Sequence, residues 1–208
     1  MNLRRFLKGF TLIELLVVIS IIAILASLAV PAVTGALVKG QLIGVVNNCH
    51  QIHLAAFQMA NDAAQNSDTT IGWPGDIATA PADQKAYVQL LVENGYLNGG
   101  DLKLFTAPGV GAPTTMGSGT SIGSFTTPTN TAFIVYMVKD TDASNTLFLS
   151  TKNFDASGGT TPTLTGTATP FGAKAFVVCR KGGDAQSYKT VASGTASYTL
   201  PTNTAALK

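Results

Sequence analysis

Charge is scarce in this chain. Of 208 residues, 13 are Lys or Arg and 11 are Asp or Glu, a net of +2. Three of the positive charges, Arg4, Arg5 and Lys8, come before Phe10, and without them the balance is −1. Nucleic-acid binding needs a concentrated basic face, so no nucleic-acid partner is expected. Cysteine is nearly missing as well. Cys49 and Cys179 lie far apart and have no metal-ligand spacing. No nucleophile elbow, phosphate loop or pair of catalytic carboxylates is visible. The expectation is a chain that is not an enzyme and carries no cofactor.

What is present is uncharged. Thr, Ser, Asn and Gly make up much of the C-terminal half, a surface that suits an exported protein. At the other end, an apolar stretch runs from Phe10 to Val38, and Glu14 is its only charge. About 20 apolar residues cross the hydrocarbon core of a bilayer, so this stretch is long enough. A carboxylate at mid-bilayer depth costs about 2.5 kcal/mol or more, so Glu14 calls for a functional reason. An ordinary secretory signal places its cleavage site after a shorter apolar core. Here the glycine suited to cleavage, Gly9, precedes the run. The basic stub holds the extreme N-terminus in the cytosol, and the remainder is translocated.

Lys8-Gly9-Phe10-Thr11-Leu12-Ile13-Glu14-Leu15-Leu16 resembles the prepilin peptidase site of type IV pilins and type II secretion pseudopilins. Pro31 falls where that family places its helix proline. The resemblance covers about thirty residues. It implies a leader of residues 1–9, cleavage between Gly9 and Phe10 by prepilin peptidase, and N-methylation of the new Phe10 amine. It also implies assembly into a helical filament with copies of itself and other pilin-like subunits, through an inner-membrane platform and an ATPase. Before assembly the partner of the apolar helix is membrane lipid, with the C-terminal domain periplasmic. Glu14 carries assembly in this scheme. Its carboxylate compensates the Phe10 amine of a neighbouring subunit or its own, a pairing favoured at low dielectric.

One long helix is expected from Phe10 to about Gln65. It has a membrane half at 10–38 and an amphipathic half at 39–65, with a globular domain over 66–208. Pro31 and Gly35 mark a kink, because proline lacks an N–H and clashes with the preceding turn. Ala32, Ala36, Gly40 and Gly44 recur at spacing four, and such a stripe lets helix backbones approach closely. Leu42, Val45, Val46, Cys49, Ile52, Ala56, Met59 and Ala63 form the apolar face of the second half. Trp73-Pro74-Gly75-Asp76 is a turn, and a short helix follows at about Ala82–Asn94, ended by Asn94-Gly95. Val92 to Pro108 resembles a segment of secretion-type pilin-like proteins.

Gly109–Asn130 reads as a long surface loop. Beyond it the period becomes two. Ala132–Val138 and Thr146–Thr151 form a hairpin around Asp140–Asn145. A loop at Asp155–Pro170 precedes strand Ala173–Arg180, which pairs with Gln186–Val191. Thr195–Leu200 is a last edge strand. The fold expected is α+β, a long N-terminal helix packed on a small antiparallel sheet. With Arg180 toward solvent, Cys179 faces the helix and Cys49. A disulfide and a pair of buried free thiols both satisfy that arrangement.

Two weaker constellations remain. His50 and His53 lie on adjacent faces of the helix, where two surface or interface histidines outweigh a metal site. Asp140-x-Asp142-x-Ser144 starts like a calcium loop but lacks the turn glycine and the closing acid. Resemblance to major pseudopilins, which bind calcium in this region, keeps Asp140 and Asp142 as candidate ligands beside the simpler reading of a polar turn. The function expected is a filament subunit, foremost of a type II secretion pseudopilus. A type IV pilin is the close alternative, and a signal-anchored periplasmic binding or enzymatic domain the distant one.

Overall fold

The computed structural model describes residues 10–111, 131–156 and 170–189, with the short stretches 114–115, 122–124, 163–164 and 206–207. The elements in chain order are helix α1 (Leu12–Asn66), helix α2 (Gln84–Glu93) and a 3-10 helix at Gly99–Phe105. Strands follow as β1 (Thr114–Thr115), β2 (Ile122–Ser124), β3 (Phe133–Tyr136), β4 (Leu147–Thr151) and β5 (Phe154–Asp155). The last are β6 (Thr163–Leu164), β7 (Ala175–Arg180), β8 (Ala185–Lys189) and β9 (Ala206–Leu207). Two compact units result, residues 1–40 and 41–208.

The first unit is the apolar half of α1. Its Leu, Ile and Val side chains are exposed between Leu12 and Leu37, as in a helix meant for lipid. It is long and apolar enough to cross a membrane. The polar side chains within it bond to their own backbone. Ser20 Oγ donates to the Leu16 carbonyl at 2.8 Å, Ser27 Oγ to Ile24 at 2.8 Å, and Thr34 Oγ1 to Pro31 at 3.0 Å. Hydrocarbon offers such groups no alternative partner. The helix continues through both Pro31 and Gly35.

The second unit holds the rest of α1, and so begins 25 residues before the end of the helix. The helix's apolar stripe is already core: Leu42, Val45, Cys49, Ile52, Ala55, Ala56, Met59 and Ala63 are all buried. Asp83 caps α2 by accepting from the Ala86 N–H at 2.7 Å. Tyr96 donates to Asp62 at 2.7 Å, which ties the end of α2 back to α1.

The main sheet runs β8-β7-β4-β3-β9, all antiparallel. The expected hairpin is in place, and the strand expected at Ala173–Arg180 forms as Ala175–Arg180, paired with Ala185–Lys189. The edge beside β3 is taken by β9, while Thr195–Leu200 lies outside the described residues. A register shift between Leu147 and Leu149 sets one extra residue, Phe148, into β4. Such a bulge breaks the alternation of faces. Phe148 meets His53 and Trp73 on the α1 side, and Leu149 pairs with Cys179 on that side too. Leu147 and Ser150 point the other way, toward Tyr136.

That other face corrects one expectation. Arg180 is half-exposed, but Phe176 and Val178 on its face are buried with Tyr136, Leu147, Phe154 and Ala156 in a second core. Phe154 stacks on Phe176 at 4.2 Å, and Phe176 on Tyr188 at 5.4 Å. The chain after β4 thus folds back over the sheet, where the sequence suggested only loop. Within Gly109–Asn130 and Asp155–Pro170 the short pairs β1–β2 and β5–β6 also form.

Candidate functional site

The N-terminal motif is described from Phe10 onward. Gly9 lies outside the described residues. Thr11 and Glu14 close a reciprocal capping box at the head of α1. The Thr11 N–H donates to Glu14 Oε2 at 2.9 Å, and Thr11 Oγ1 donates to the same oxygen at 2.7 Å. The Glu14 N–H donates in turn to Thr11 Oγ1 at 3.3 Å. The pattern Thr-x-x-Glu before an apolar run is a helix-start signature, so Thr11 could have been found from sequence. Both residues are exposed, and Phe10 is 78% exposed. Ala32, Ala36, Gly40 and Gly44 are exposed as well. A Cβ added at Gly35, Gly40 or Gly44 would meet nothing within 4 Å. No contact among the described residues therefore requires small side chains there.

Cys49 and Cys179 are free thiols, both fully buried. Cys49 lies on the inner stripe of α1 and Cys179 on the facing side of β7. Burial pushes the Cys49 thiol well above its ordinary range, and the nearby Cys179 adds to this. Burial, with the Asp184 charge behind it, pushes Cys179 up to about 12. Neither is poised as a nucleophile, since the thiolate is the reactive form.

In the second unit, several polar side chains meet around the β3–β4 and β7–β8 turns. His53 is half-buried, not a surface group, and sits among Phe57, Trp73 and Phe148 at ring separations of 6.1, 5.7 and 6.0 Å. Its Nε2 donates to the Lys181 carbonyl at 2.6 Å. Burial lowers the His53 pKa, the Lys181 carbonyl works against that, and His50 adds a smaller lowering. Histidine His50 itself is exposed.

Lys181 reaches from the β7–β8 turn to the β3–β4 turn. Its ammonium donates to the main-chain carbonyls of Asp140 and of Asp142, the latter at 2.9 Å. The Asp140 carboxylate lies 3.7 Å from the same nitrogen. The Asp142 carboxylate instead accepts from the Lys139 N–H at 2.7 Å, and Asp76 accepts from the Asp140 N–H at 2.6 Å. Two glycines let backbones close on this turn. A Cβ at Gly75 would stand 2.9 Å from the Val138 carbonyl oxygen, and one at Gly182 would stand 3.1 Å from that of Ser144.

Beside this cluster is a cavity of about 310 Å³, walled by Ala60, Ala63, Ala64 and Trp73, with Asp68, Asp76 and Asp140 among its lining. It has no histidine, cysteine or lysine in its walls. Asp68 is engaged by Thr70 and Asp76 by Asp140. No nucleophile–base pair faces it among the described residues.

Comparison with known proteins places the resemblance at the N-terminus. The model of the prokaryotic N-terminal methylation motif matches residues 4–30. The type IV major fimbrial protein FimA of Dichelobacter nodosus is 38% identical over 66 residues, covering 32% of this chain and 42% of that protein. Fimbrial protein EcpC of Eikenella corrodens is 40% identical over 78 residues, 38% of this chain and 46% of its own length. Fimbrial protein Q of Moraxella bovis is 51% identical over 57 residues, 27% of this chain and 33% of its own. The chain thus spans less than half the length of the curated relatives it matches. No solved structure matches it significantly.

Proposed function

We propose that the chain is a pilin of the type IV family, as its N-terminal methylation motif and fimbrial relatives support, and that it is a structural subunit of a helical filament. One observation carries the proposal: a single carboxylate, Glu14, at the head of an exposed apolar helix. Prepilin peptidase cuts between Gly9 and Phe10, and the new Phe10 amine is N-methylated and positive. In the free subunit Glu14 is satisfied by Thr11. In the filament it pairs with an amine, and at low dielectric such a pair is strongly favoured over separated charges. An incoming subunit is drawn to the growing end by that neutralisation, and apolar packing along α1 then holds it. Ala32, Ala36, Gly40 and Gly44 admit a neighbouring helix at close range. Pro31 and Gly35 are where α1 yields, because Pro31 leaves the Ser27 carbonyl without its helical donor.

Before assembly the first unit lies in the bacterial inner membrane and the second in the periplasm. Extraction into the filament uses an assembly platform and an ATPase. The role is structural, without catalysis or cofactor. Replacing Glu14 tests the mechanism. Glu14→Ala is expected to insert and be processed normally, but to lose filament yield about tenfold or more, equivalent to about 1.4 kcal/mol or more. Undiminished yield would remove the charge-pair mechanism. Mass spectrometry of the mature chain is expected to begin at N-methyl-Phe10. An intact Met1 would instead support a signal-anchored domain.

The fimbrial relatives support a type IV pilus, whereas the Val92–Pro108 segment and the small sheet support a type II pseudopilus. Gene deletion separates the two. Loss of surface fibres and of adhesion, motility or DNA uptake marks a pilus, and accumulation of secreted enzymes in the periplasm marks a pseudopilus.

A further inference from the structure

Pilin-like secretion subunits imply a calcium ion near the C-terminal hairpin, and Asp140-x-Asp142-x-Ser144 is the stretch that would hold it. The residues present do not fit one. The Asp142 carboxylate is turned onto the Lys139 N–H, and the Asp76 carboxylate onto the Asp140 N–H. Among the described residues no group of three or more His, Cys, Asp or Glu side chains is placed to hold a metal. The carbonyl oxygens of Asp140 and Asp142, which would face a metal, are taken by the Lys181 ammonium.

We propose that Lys181 is the resident cation of this turn and makes it independent of calcium. An ammonium has three N–H donors and no acceptor. Three acceptors surround it here: two carbonyls and, at 3.7 Å, the Asp140 carboxylate. The Lys181 side chain is only 12% exposed, which protects the carbonyl bonds from water. Asp140 is 80% exposed, so its ion pair is screened and the carbonyls do most of the holding. The backbone of Lys181 completes the tie. Its N–H donates to the Thr146 carbonyl at 2.8 Å, and its carbonyl accepts from His53 on α1. A single lysine thus joins α1, the β3–β4 turn and the β7–β8 turn with a charge that no chelator removes.

The test uses the full chain in detergent micelles, with thermal unfolding followed by Trp73 fluorescence. Added calcium or EDTA is expected to leave the parent midpoint within about 1 °C, and Lys181→Ala to lower it by about 5 °C or more. Methylammonium, a free equivalent of the lost group, is expected to restore part of that loss. Asp140→Asn, which would cripple a calcium site, is expected to shift the midpoint by no more than about 2 °C. The proposal is overturned if calcium raises the parent midpoint or EDTA lowers it. It is also overturned if Lys181→Ala melts like the parent, or if Asp140→Asn loses as much as Lys181→Ala does. Should Lys181→Ala fail to fold, the parent and Asp140→Asn measurements decide the matter.

Discussion

His53 shows how a residue that reads as a surface group is held half-buried against the edge of the core. Its ring donates to the Lys181 carbonyl and is enclosed by Phe57, Trp73 and Phe148, with Gly183 closing over it. A second proton on the ring places a charge in that apolar setting, with the His50 imidazole also bearing on it. Burial therefore holds the folded-state pKa below the ordinary 6.5. The unfolded chain takes up the proton first, so His53 contributes stability above about pH 6.5 that is lost as pH falls through the folded value. The unfolding midpoint is expected to drop on mild acidification, with a change in Trp73 fluorescence at 5.7 Å. His53→Gln, which keeps a donor for Lys181, is expected to flatten that pH dependence; an unchanged slope would rule out His53 as its source. The sequence could not show any of this. His53, Trp73, Phe148 and Lys181 come from four separate segments, and no local pattern joins them.

Elements were legible wherever periodicity was strong. The stripe from Leu42 to Ala63 is buried at the 3-and-4 spacing that marks it in the sequence, except that Val46 is half-buried and Ala55 is buried in addition. Strand Ala175–Arg180 and its partner stood out by β-branched and aromatic content. The bulge at Phe148 did not, because one extra residue leaves no mark in composition. The second core did not either: Phe154 and Ala156 sit between the turn after β4 and a Gly- and Thr-rich stretch that looks solvated throughout. Thr11 and Asp83, both favoured N-cap types, cap the two helices, a local signal that the periodicity of the apolar residues does not carry. Asp83→Ala is expected to cost about 1 kcal/mol in chemical denaturation. Met59→Ala, which opens a cavity under α1, is expected to cost about 2–5 kcal/mol. A loss at Asp83 equal to that at Met59 would mean that α2 is held by its cap more than by the burial of Tyr87, Val88 and Leu91.

For the molecule as a whole, the sequence turns from apolar to amphipathic after Val38, and the structure divides into two units at Gly40. Each unit has its own solvent requirement. The first presents Leu, Ile and Val outward over its length, and the second buries a core on both faces of its sheet. A fragment of residues 41–208 is therefore expected to be folded and monomeric in plain buffer, whereas the full chain needs detergent. Circular dichroism and gel filtration check this. A fragment that aggregates or lacks near-ultraviolet signal would show that the second unit depends on the first. The stretch around Glu14, proposed here for assembly, stood out most in the sequence, because an apolar segment long enough for a membrane tolerates few polar residues and each one left in it is conspicuous.

Gly75 and Gly182 bear on how such a protein can diversify. Exposed turns are ordinarily where a lineage accumulates insertions and substitutions. The Asp140–Asn145 turn is exposed over much of its length, yet a glycine bears on each of its arms, at Val138 and at Ser144. Drift in its length would break two backbone contacts at once. Under selection for a changing surface, this turn is the part expected to change last.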